Sequence, residues 1–500
     1  MLISAGTKMI ASLSKPRFDR WHHDAVGLQQ RVFNSLLARG RKTRFGKAHG
    51  FEQISGYEGF KKRVPIRDYE GFSPYIQRIL KGEHDVLWPG RPMYFSKTSG
   101  TTSGAKYIPI TRESMPYHIR SARNALLMYA LKTGRTDFVR GRMIFISGSP
   151  ELDTSQDIPT GRLSGISHRH VPKYLRNRRL PSYDVNCITD WEKKLDAVVD
   201  ESAGHSLSLI SGIPPWVEMY FERLLSRTGK SHVADVFPDF SLFVYGGVNF
   251  KPYEKKFQQL IGREVPSLET FPASEGFIGF QDEWPSEGLL LIPDGGIFFE
   301  FIPADRFDDD DPPRLSLAEV QEGVNYVMIL NTNAGLWGYN IGDTVRFVSL
   351  NPFRFVPTGR LSHYTSAFGE HVIAQEAEDA ITRAAAATAA VVNEFTLAPL
   401  VDNPDGLPCH QWFVEFSKPP RDMQAFAANL DKALQERNTY YKDLVTGRIL
   451  QPALVQPVPK NTFRQYMKSI GKLGGQNKVP HLSNERKIAD WILEHLDKRS

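Results

Sequence analysis

The chain has 500 residues, of which 41% are hydrophobic and 24% charged, so a soluble globular protein of two or three domains is expected. Its net charge of +6 is small for this length, which argues against a dedicated nucleic-acid binder and favours anionic ligands only weakly. Its two cysteines, Cys187 and Cys409, lie far apart, which argues against a disulfide scaffold and a structural zinc site.

Helices are predicted for the first part of the chain. Apolar residues recur at roughly helical spacing over residues 21–39, and a second helix is expected over residues 69–80, after a short connection that ends at Asp68. Two apolar runs, residues 93–95 and 107–110, are typical of strands and are close enough in sequence to form a hairpin. A ligand-facing loop is therefore expected at the tip of this hairpin.

The predicted hairpin tip is rich in small hydroxyl residues and glycine, with the sequence SKTSGTTSGAK over residues 96–106. Such residues let backbone N–H groups crowd around an anion, and Lys106 adds a positive charge. The two glycines are too close together for the usual P-loop, and Tyr107 stands where that motif needs a Ser or Thr. The pattern indicates a phosphate loop of another kind, with an ordinary surface loop as the alternative.

A helix over residues 111–132, with Thr111 as its N-cap, is expected after the hairpin. Arg120 and Arg123 lie three residues apart on this helix, so they share one face. They could meet an acid substrate or a phosphate, and a solvent-exposed helix face is the alternative.

Strands and helices alternate through the middle of the chain. Short apolar runs predict strands at residues 143–147, 206–211, 241–245, 288–292, 297–302 and 326–330. A helix is expected up to Leu225, and its Trp216, Met219 and Tyr220 are either core residues or the lining of an acyl pocket. Residues 161–182 are rich in Arg, His and Pro, which indicates a solvated surface loop, with an anion-binding patch as the alternative.

The composition changes after Arg360, where a smaller α+β region is predicted. Its expected elements are helices at residues 375–390, 421–437 and 484–496 and strands at residues 394–399 and 411–416. We therefore predict an α/β fold (mixed α+β) with packed sheets and flanking helices in a large N-terminal domain, residues 1–358. A small C-terminal domain is expected over residues 359–500.

Two further motifs add to the predicted phosphate loop. Residues 270–276, TFPASEG, put Glu275 after small residues that follow an extended segment, where a carboxylate can bind Mg²⁺ beside a triphosphate. Residues 338–345, GYNIGDTV, put Asp343 after a glycine turn, where it can accept hydrogen bonds from ribose hydroxyl groups. Each motif alone has a structural explanation, since Asp343 could simply orient a turn.

In this order, the three motifs resemble those of the adenylate-forming enzymes, the ANL superfamily of acyl-CoA synthetases, nonribosomal adenylation domains and luciferases. The chain is most similar to one branch, the auxin-responsive (Gretchen Hagen) acyl acid–amido synthetases. The similarity extends over nearly the whole chain and includes residues 299–303, 317–323, 334–336 and 474–480. It implies an ANL-type N-terminal adenylation domain and a small, mobile C-terminal lid domain that rotates between two reaction steps.

The resemblance implies roles for individual residues. The nucleotide-binding residues would be Ser99, Gly100, Thr101 and Thr102 in the phosphate loop, Thr270, Ala273, Ser274 and Glu275 in the second motif, and Asp343 and Arg360 beside the ribose. Glu275 would also bind the metal, Mg²⁺. Lys478 would be the catalytic lysine that reaches the α-phosphate, and Lys106 would act in catalysis or hold the departing pyrophosphate.

Several positions differ from the pattern of this branch. Gly338 and Asn340 stand where plant-type sequences carry arginines, and Asn477 replaces a tyrosine of the C-terminal signature. No Asp-Lys hinge pair is visible after Arg360, where residues 366–367 are Ser and Ala. These differences motivate one alternative, a homologue that binds nucleotide without catalysis.

The activity implied by the resemblance is ATP-dependent amide formation. A carboxylic acid would attack the α-phosphate of ATP to give an acyl-adenylate and pyrophosphate, and an amine such as an amino acid would then take the acyl group and release AMP. The same adenylation followed by transfer to coenzyme A is a second alternative. ATP and Mg²⁺ are the expected cofactors, and small carboxylic acids and amines or amino acids are the expected partners.

The sequence also bears on location and assembly. No stretch has the uncharged length that is needed to span a bilayer, and the N-terminal apolar run, which contains Lys8, is too short for a secretion signal. Neither a membrane nor a nucleic acid is expected as a partner. We predict a cytoplasmic protein and a monomer.

Overall fold

The computed structural model describes residues 2–98, 106–155, 157–247, 250–285, 288–360, 364–365, 372–400, 403–404, 406–446, 450–473, 478–483 and 486–497. The chain divides into two compact units. The large unit consists of Met1–Phe250, Lys255–Ile341 and Val345–Val356, and the small unit consists of Lys251–Glu254, Gly342–Thr344 and Pro357–Ser500.

The first part of the chain alternates between helices and strands. Up to residue 261 the α-helices are α1 (Leu2–His23), α2 (Ala25–Gly40), α3 (Arg44–Ala48), α4 (Tyr57–Arg63), α5 (Tyr69–Leu80), α6 (Met115–Thr133), α7 (Leu163–Arg169), α8 (Lys173–Arg176), α9 (Tyr183–Cys187), α10 (Trp191–Ser202), α11 (Pro214–Thr228), α12 (Val233–Val236) and α13 (Lys251–Ile261). Up to residue 360 the strands are β1 (Tyr94–Thr98), β2 (Lys106–Ile110), β3 (Arg142–Ile146), β4 (Thr160–Gly161), β5 (Arg179–Leu180), β6 (Leu207–Gly212), β7 (Leu242–Gly246), β8 (Ser267–Pro272), β9 (Phe277–Phe280), β10 (Leu289–Leu291), β11 (Ile297–Pro303), β12 (Asn325–Thr332), β13 (Tyr339–Leu350) and β14 (Phe353–Arg360).

One 11-stranded sheet runs through this part of the fold, in the order β11-β12-β13-β14-β10-β9-β8-β7-β6-β3-β5. The neighbours from β5 to β8 are parallel, whereas β8, β9, β10 and β14 pair antiparallel. Since parallel strands end at the same edge, β3, β6, β7 and β8 share a carboxyl edge, where open α/β sheets bind ligands. The sheet and its helices confirm the predicted mixed α/β class.

A smaller sheet, in the order β2-β1-β4, carries the predicted hairpin. β1 and β2 pair antiparallel from Tyr94 opposite Ile110 to Thr98 opposite Lys106, which confirms both strands and their pairing. β4 joins β1 in parallel, with Gly161 opposite Ser96. This second contact turns out to matter for the candidate site.

The helix predictions for the N-terminal region have mixed outcomes. The prediction for residues 69–80 is confirmed by α5, whose N-cap Asp68 accepts a hydrogen bond from the Gly71 N–H at 3.1 Å. The prediction of one helix over residues 21–39 is wrong, because α1 ends and α2 begins around Asp24. The φ angle of Asp24 is −136°, outside the helical region, so the apolar pattern runs across two helices.

Helix α6 begins later than predicted. Its N-cap is Ser114, whereas Thr111 lies in a preceding turn, where its hydroxyl accepts from the Ser114 N–H at 3.0 Å and donates to the Asn333 carbonyl at 2.8 Å. The guanidinium of Arg120 lies 4.9 Å from a tyrosine ring of the same helix, and Arg123 is exposed. The alternative of a solvent-exposed helix face is therefore the one that holds for Arg123.

The prediction of a surface loop over residues 161–182 is wrong. This segment folds into α7, α8 and β5, and β5 extends the large sheet by pairing Arg179 with Met143 of β3. The guanidinium of Arg179 lies 4.3 Å from the centroid of the Phe145 ring. A basic side chain can bury its stem against apolar surface, so a high content of arginine did not mean a solvated loop here.

The main core of the large unit packs the N-terminal helices against the antiparallel strands, with Phe45 and Trp337 buried at its centre. Trp216 and Tyr220 are core residues rather than the lining of a pocket, since 4% and 0% of them is exposed. The Tyr220 hydroxyl shares a 2.7 Å hydrogen bond with Ser202. Burial of one such aromatic side chain contributes about 1.5–3 kcal/mol.

The small unit is an α+β assembly around a three-stranded sheet in the order β17-β18-β19. Its elements are β15 (Tyr364–Thr365), β16 (Val372–Ile373), α14 (Ala374–Thr388), β17 (Val391–Leu400), β18 (Cys409–Lys418), α15 (Met423–Arg437), α16 (Thr439–Thr446), β19 (Leu454–Val458), α17 (Thr462–Ser469) and α18 (Lys487–Asp497). Ile381, Trp412 and Leu430 are buried where α14 and α15 cover the sheet. Within the described ranges, none of the helices has the length and apolar character that crossing a membrane requires.

Candidate functional site

The second motif forms a tight turn at the carboxyl end of β8. The Ala273 N–H donates to the Gly276 carbonyl at 2.8 Å, and the Gly276 N–H donates back to the Ala273 carbonyl at 3.2 Å. Ser274 and Glu275 lie between these two residues and are half-buried. The turn therefore places the backbone of Glu275 at the carboxyl edge of the sheet, and we call residues 273–276 the Glu275 turn.

A hydrogen bond joins the Glu275 turn to the hairpin. The Ser96 and Ser274 hydroxyl groups lie 2.9 Å apart, and Ser96 is fully buried on β1. The predicted loop residues Ser99, Gly100, Thr101 and Thr102 lie outside the described residues, so their contacts stay predictions. What the structure brings together is the base of the hairpin and the Glu275 turn.

Lys106 is the first residue of β2, at the base of the hairpin. Its ammonium lies 5.8 Å from the centroid of the Tyr69 ring, a distance at which a cation is attracted by the ring face. The Tyr69 hydroxyl accepts a hydrogen bond from the Tyr107 N–H at 2.8 Å. Burial raises the pKa of Tyr69, so this partner of Lys106 stays neutral.

Thr270 fixes the ends of β7 and β8 to each other. Its hydroxyl donates to the Tyr245 carbonyl at 2.8 Å. At the next residue of β7, Gly246, an added Cβ would lie 2.3 Å from the Thr270 carbonyl oxygen, so only glycine allows this approach. Thr270 is thus held by a main-chain partner beside the Glu275 turn.

Asp343 and Arg360 belong to the small unit, on the neighbouring strands β13 and β14. The buried hydroxyl groups of Thr344 and Thr358 are 2.8 Å apart and tie these strands together next to both residues. Asp343 is half-buried and follows Gly342, whose φ of +81° is the left-handed conformation expected of a glycine turn. The glycine turn that was predicted before Asp343 is therefore present.

Lys478 is exposed and lies two residues before a segment that is docked on β17. The Pro480 carbonyl accepts from the Thr396 hydroxyl at 2.7 Å, and the His481 carbonyl accepts from the Leu397 N–H at 2.8 Å. Main-chain pairing to an existing strand fixes the path of the chain, as in an added strand. Lys478, the predicted catalytic lysine, therefore lies just before a segment that is fixed to the edge of the small sheet.

Sequence reasoning missed His481, which clamps this docked segment. Its ring nitrogens lie 3.0 Å from Glu378 and 2.9 Å from Glu394, and its ring stacks on Phe395 at 4.2 Å. Burial alone would lower the pKa of His481, but the Glu394 and Glu378 carboxylates outweigh it and raise the pKa to about 10. No local signal reveals this clamp, because its carboxylates lie 87 and 103 residues away in sequence.

The comparisons with known proteins agree along the chain. The GH3 family N-terminal domain model matches residues 14–213, the central domain model residues 289–360 and the C-terminal domain model residues 375–487. Jasmonoyl–L-amino acid synthetase JAR4 of Nicotiana attenuata is 24% identical over 65% of this chain and 67% of its own length. Indole-3-acetic acid-amido synthetase GH3.3 of Arabidopsis thaliana is 23% identical over 100% of this chain and 95% of its own length.

A solved structure shares the fold. GH3.15 acyl acid amido synthetase superposes with a TM-score of 0.77 at 16% sequence identity, over 95% of this chain and 94% of that chain. Three successive domain models of one family together cover most of the sequence. The fold agrees with that of the GH3.15 structure. The chain therefore belongs to the GH3, or Gretchen Hagen, family.

Proposed function

We propose that the protein is an ATP-dependent acyl acid–amido synthetase. It activates a carboxylic acid as the acyl-adenylate with release of pyrophosphate, and then transfers the acyl group to an amine such as an amino acid with release of AMP. The Ser96–Ser274 hydrogen bond carries this proposal, since it joins the hairpin with the predicted phosphate loop to the Glu275 turn in a GH3-family chain. The names of the relatives, which are amido synthetases, support formation of a carbon–nitrogen bond.

The first step has to stabilise charge on phosphate. A carboxylate oxygen attacks the α-phosphorus, the bond to the pyrophosphate oxygen breaks, and negative charge builds up on the phosphate oxygens. In our proposal Lys106 at the hairpin base and Lys478 from the small unit neutralise this charge. Asp343 and Arg360 hold the ribose, and Thr270, Ala273 and Ser274 shape the nucleotide site around Glu275.

Glu275 fits the magnesium that the family resemblance implies. Mg²⁺ in nucleotide sites is typically bound by one or two carboxylates together with phosphate oxygens, and the Glu275 turn offers one carboxylate. Across the residues that the structure describes, there is no group of three or more His, Cys, Asp and Glu side chains that could hold a metal ion without a nucleotide. When bound, Mg²⁺ would neutralise phosphate charge.

The second step transfers the acyl group. The amine nitrogen attacks the acyl carbon, the bond from this carbon to the AMP oxygen breaks, and AMP leaves with the electron pair while the nitrogen loses a proton to solvent. Coenzyme A would attack the same carbon through its sulfur, so the adenylation step alone does not distinguish the two products. The expected cytoplasmic location and monomeric state stay predictions.

Carboxylate-dependent ATP–pyrophosphate exchange, measured across a panel of aryl and alkyl acids, tests the first step. We expect exchange with at least one acid, and a decrease of about 100-fold or more in Glu275→Gln, because a metal ligand is worth several kcal/mol in the transition state. Glu264→Gln is the matched control, since Glu264 is exposed three residues before the start of β8 and its loss should leave exchange unchanged.

The products test the second step. Mass spectrometry should find an amide when the activating acid is supplied with amino acids, and no thioester when coenzyme A is supplied instead. A thioester would favour the acyl-CoA ligase. A folded chain that binds ATP but exchanges pyrophosphate with no acid would instead be a homologue without catalysis.

A further inference from the structure

Two basic side chains meet at the carboxyl end of β3. Lys194 on α10 is 4% exposed, and its ammonium donates to the Ser147 carbonyl at 2.8 Å and to the Asn186 carbonyl at 2.7 Å. The side chain of Arg162 fills the space beside the next residue, Gly148, where an added Cβ would lie 2.7 Å from both Cδ and Nη1 of the arginine. We call these two side chains the Arg162–Lys194 pair.

Neither Arg162 nor Lys194 forms an ion pair with a carboxylate in the part of the chain that the structure describes. The Arg162 Nη1 atom is buried and has no hydrogen-bond partner there. Burial and, to a smaller extent, the Arg162 guanidinium lower the pKa of Lys194 to about 8. Burying one charge without a partner is strongly unfavourable, and two like charges are worse. The arrangement is therefore that of a site which receives an anion.

The pair lies next to the candidate site. Arg162 directly follows Gly161, which pairs with Ser96 on β1, and Ser96 is hydrogen-bonded to Ser274 at 2.9 Å. Neighbouring strands are about 4.8 Å apart. One strand pairing and one hydrogen bond therefore connect the residue before Arg162 to the Glu275 turn. The end of β3 also lies on the carboxyl edge that β8 shares.

We propose that Arg162 and Lys194 bind the carboxylate of the amino acid that serves as the amine substrate. This inference rests on the proposed function. When the amine nitrogen attacks the acyl carbon and AMP leaves, the amino acid keeps its carboxylate charged, and a cationic site can both neutralise and orient it. A guanidinium suits this task, since its planar N–H groups match the two carboxylate oxygens.

The test compares nucleophiles that do and do not carry a carboxylate. Amide formation is measured with amino acids, with the corresponding amino-acid amides and with hydroxylamine, in the native chain and in Arg162→Gln. We expect the KM for amino acids to rise about 30-fold or more in the variant, as for loss of a buried charge partner. Amino-acid amides, hydroxylamine and ATP–pyrophosphate exchange should be unaffected.

Two further variants make the result specific. Arg162→Lys should recover part of the loss, because it keeps the charge without the planar fork. Arg169→Gln is the matched control, since Arg169 is an exposed guanidinium on α7. An unchanged KM for amino acids with intact exchange would overturn this inference alone, whereas a native chain without exchange would overturn the proposed function with it.

Other outcomes would assign the pair differently. A higher KM for pyrophosphate in the exchange reaction of Arg162→Gln would mean that the pair holds pyrophosphate, which contradicts the proposal. A loss confined to dicarboxylic acids as acyl donors would move the site to the acid substrate, which contradicts it as well. An equal loss with amino acids and hydroxylamine would make Arg162 structural.

Discussion

The hydroxyl groups of Ser96 and Ser274, which are 178 residues apart in sequence, lie 2.9 Å from each other in the large unit. Ser96 is in β1, the strand that leads into the predicted phosphate loop, and Ser274 is next to Glu275. This single contact links two of the three motifs that resemble those of adenylate-forming enzymes. Its strength can be measured directly.

A double-mutant cycle on this pair should show coupling. Ser96→Ala and Ser274→Ala should each lower the free energy of unfolding by about 0.5–1.5 kcal/mol, because each removes one partner of a hydrogen bond at a buried serine. The double variant should lose less than the sum of the two, as groups in contact do. Urea unfolding of the four proteins measures this, and additive losses would show that the bond does not contribute in solution.

Asp343→Asn should remove the preference for a ribose hydroxyl group. We expect the native chain to use ATP better than 2′- or 3′-deoxy-ATP by about 10-fold or more, since a hydrogen bond to a charged group contributes about 1.5–3 kcal/mol. The variant should have a higher KM for ATP than the native chain. Its KM values for the deoxy analogues should be similar to its KM for ATP. Asp310→Asn is the control and should behave as the native chain does, since Asp310 lies among four consecutive exposed aspartates at residues 308–311.

Lys478→Ala should lower pyrophosphate exchange by about 100-fold or more while the Kd for ATP changes little, because a preorganised charge acts mainly in the transition state. Lys472→Ala removes another exposed lysine shortly before it in the chain and should leave exchange intact. Equal losses in the two variants would indicate a general effect of surface charge. Full activity of Lys478→Ala would remove this lysine from the adenylation step.

The stabilisation of the small unit by protonated His481 should be lost in alkaline solution. Its pKa is raised to about 10 in the folded chain from an ordinary value near 6.5, so the folded state binds the proton more tightly. The stabilisation is therefore complete below about pH 6.5 and is lost as the pH rises towards 10, with a total on the order of a few kcal/mol. The free energy of unfolding of the native chain should fall in this window.

The matched comparison for this effect is His481→Gln, which keeps a hydrogen-bonding side chain but cannot carry the proton. Its stability should be lower than that of the native chain at pH 6 and nearly the same at pH 10. A parallel pH dependence of the two proteins between these values would show that other groups are responsible.

The sequence was sufficient where structure is specified locally. Helix α5 and the β1–β2 hairpin follow from apolar spacing and, for the helix, from the cap at Asp68, so both were predicted. The break at Asp24 was not, because the apolar pattern continues through it and only the backbone conformation changes.

The sequence was insufficient where the partner is distant in the chain. The Glu275 turn could be suspected from its residues, but nothing near it names Ser96 as its contact. The basic segment 161–182 was predicted to be solvated because its sequence does not show where its arginines pack. The Phe145 ring and the space beside Gly148, against which two of them lie, exist only in the folded chain. The two carboxylates at His481 were invisible for the same reason.

The docking of residues 480–483 on β17 also sets the reach of Lys478. The backbone is fixed at the Pro480 carbonyl, and two residues of extended chain before it span at most about 7 Å. As long as this docking persists, local rearrangement keeps the Lys478 backbone within that distance of Pro480. To reach a point farther from Pro480 than this tether and the lysine side chain together allow, β17 has to move as well.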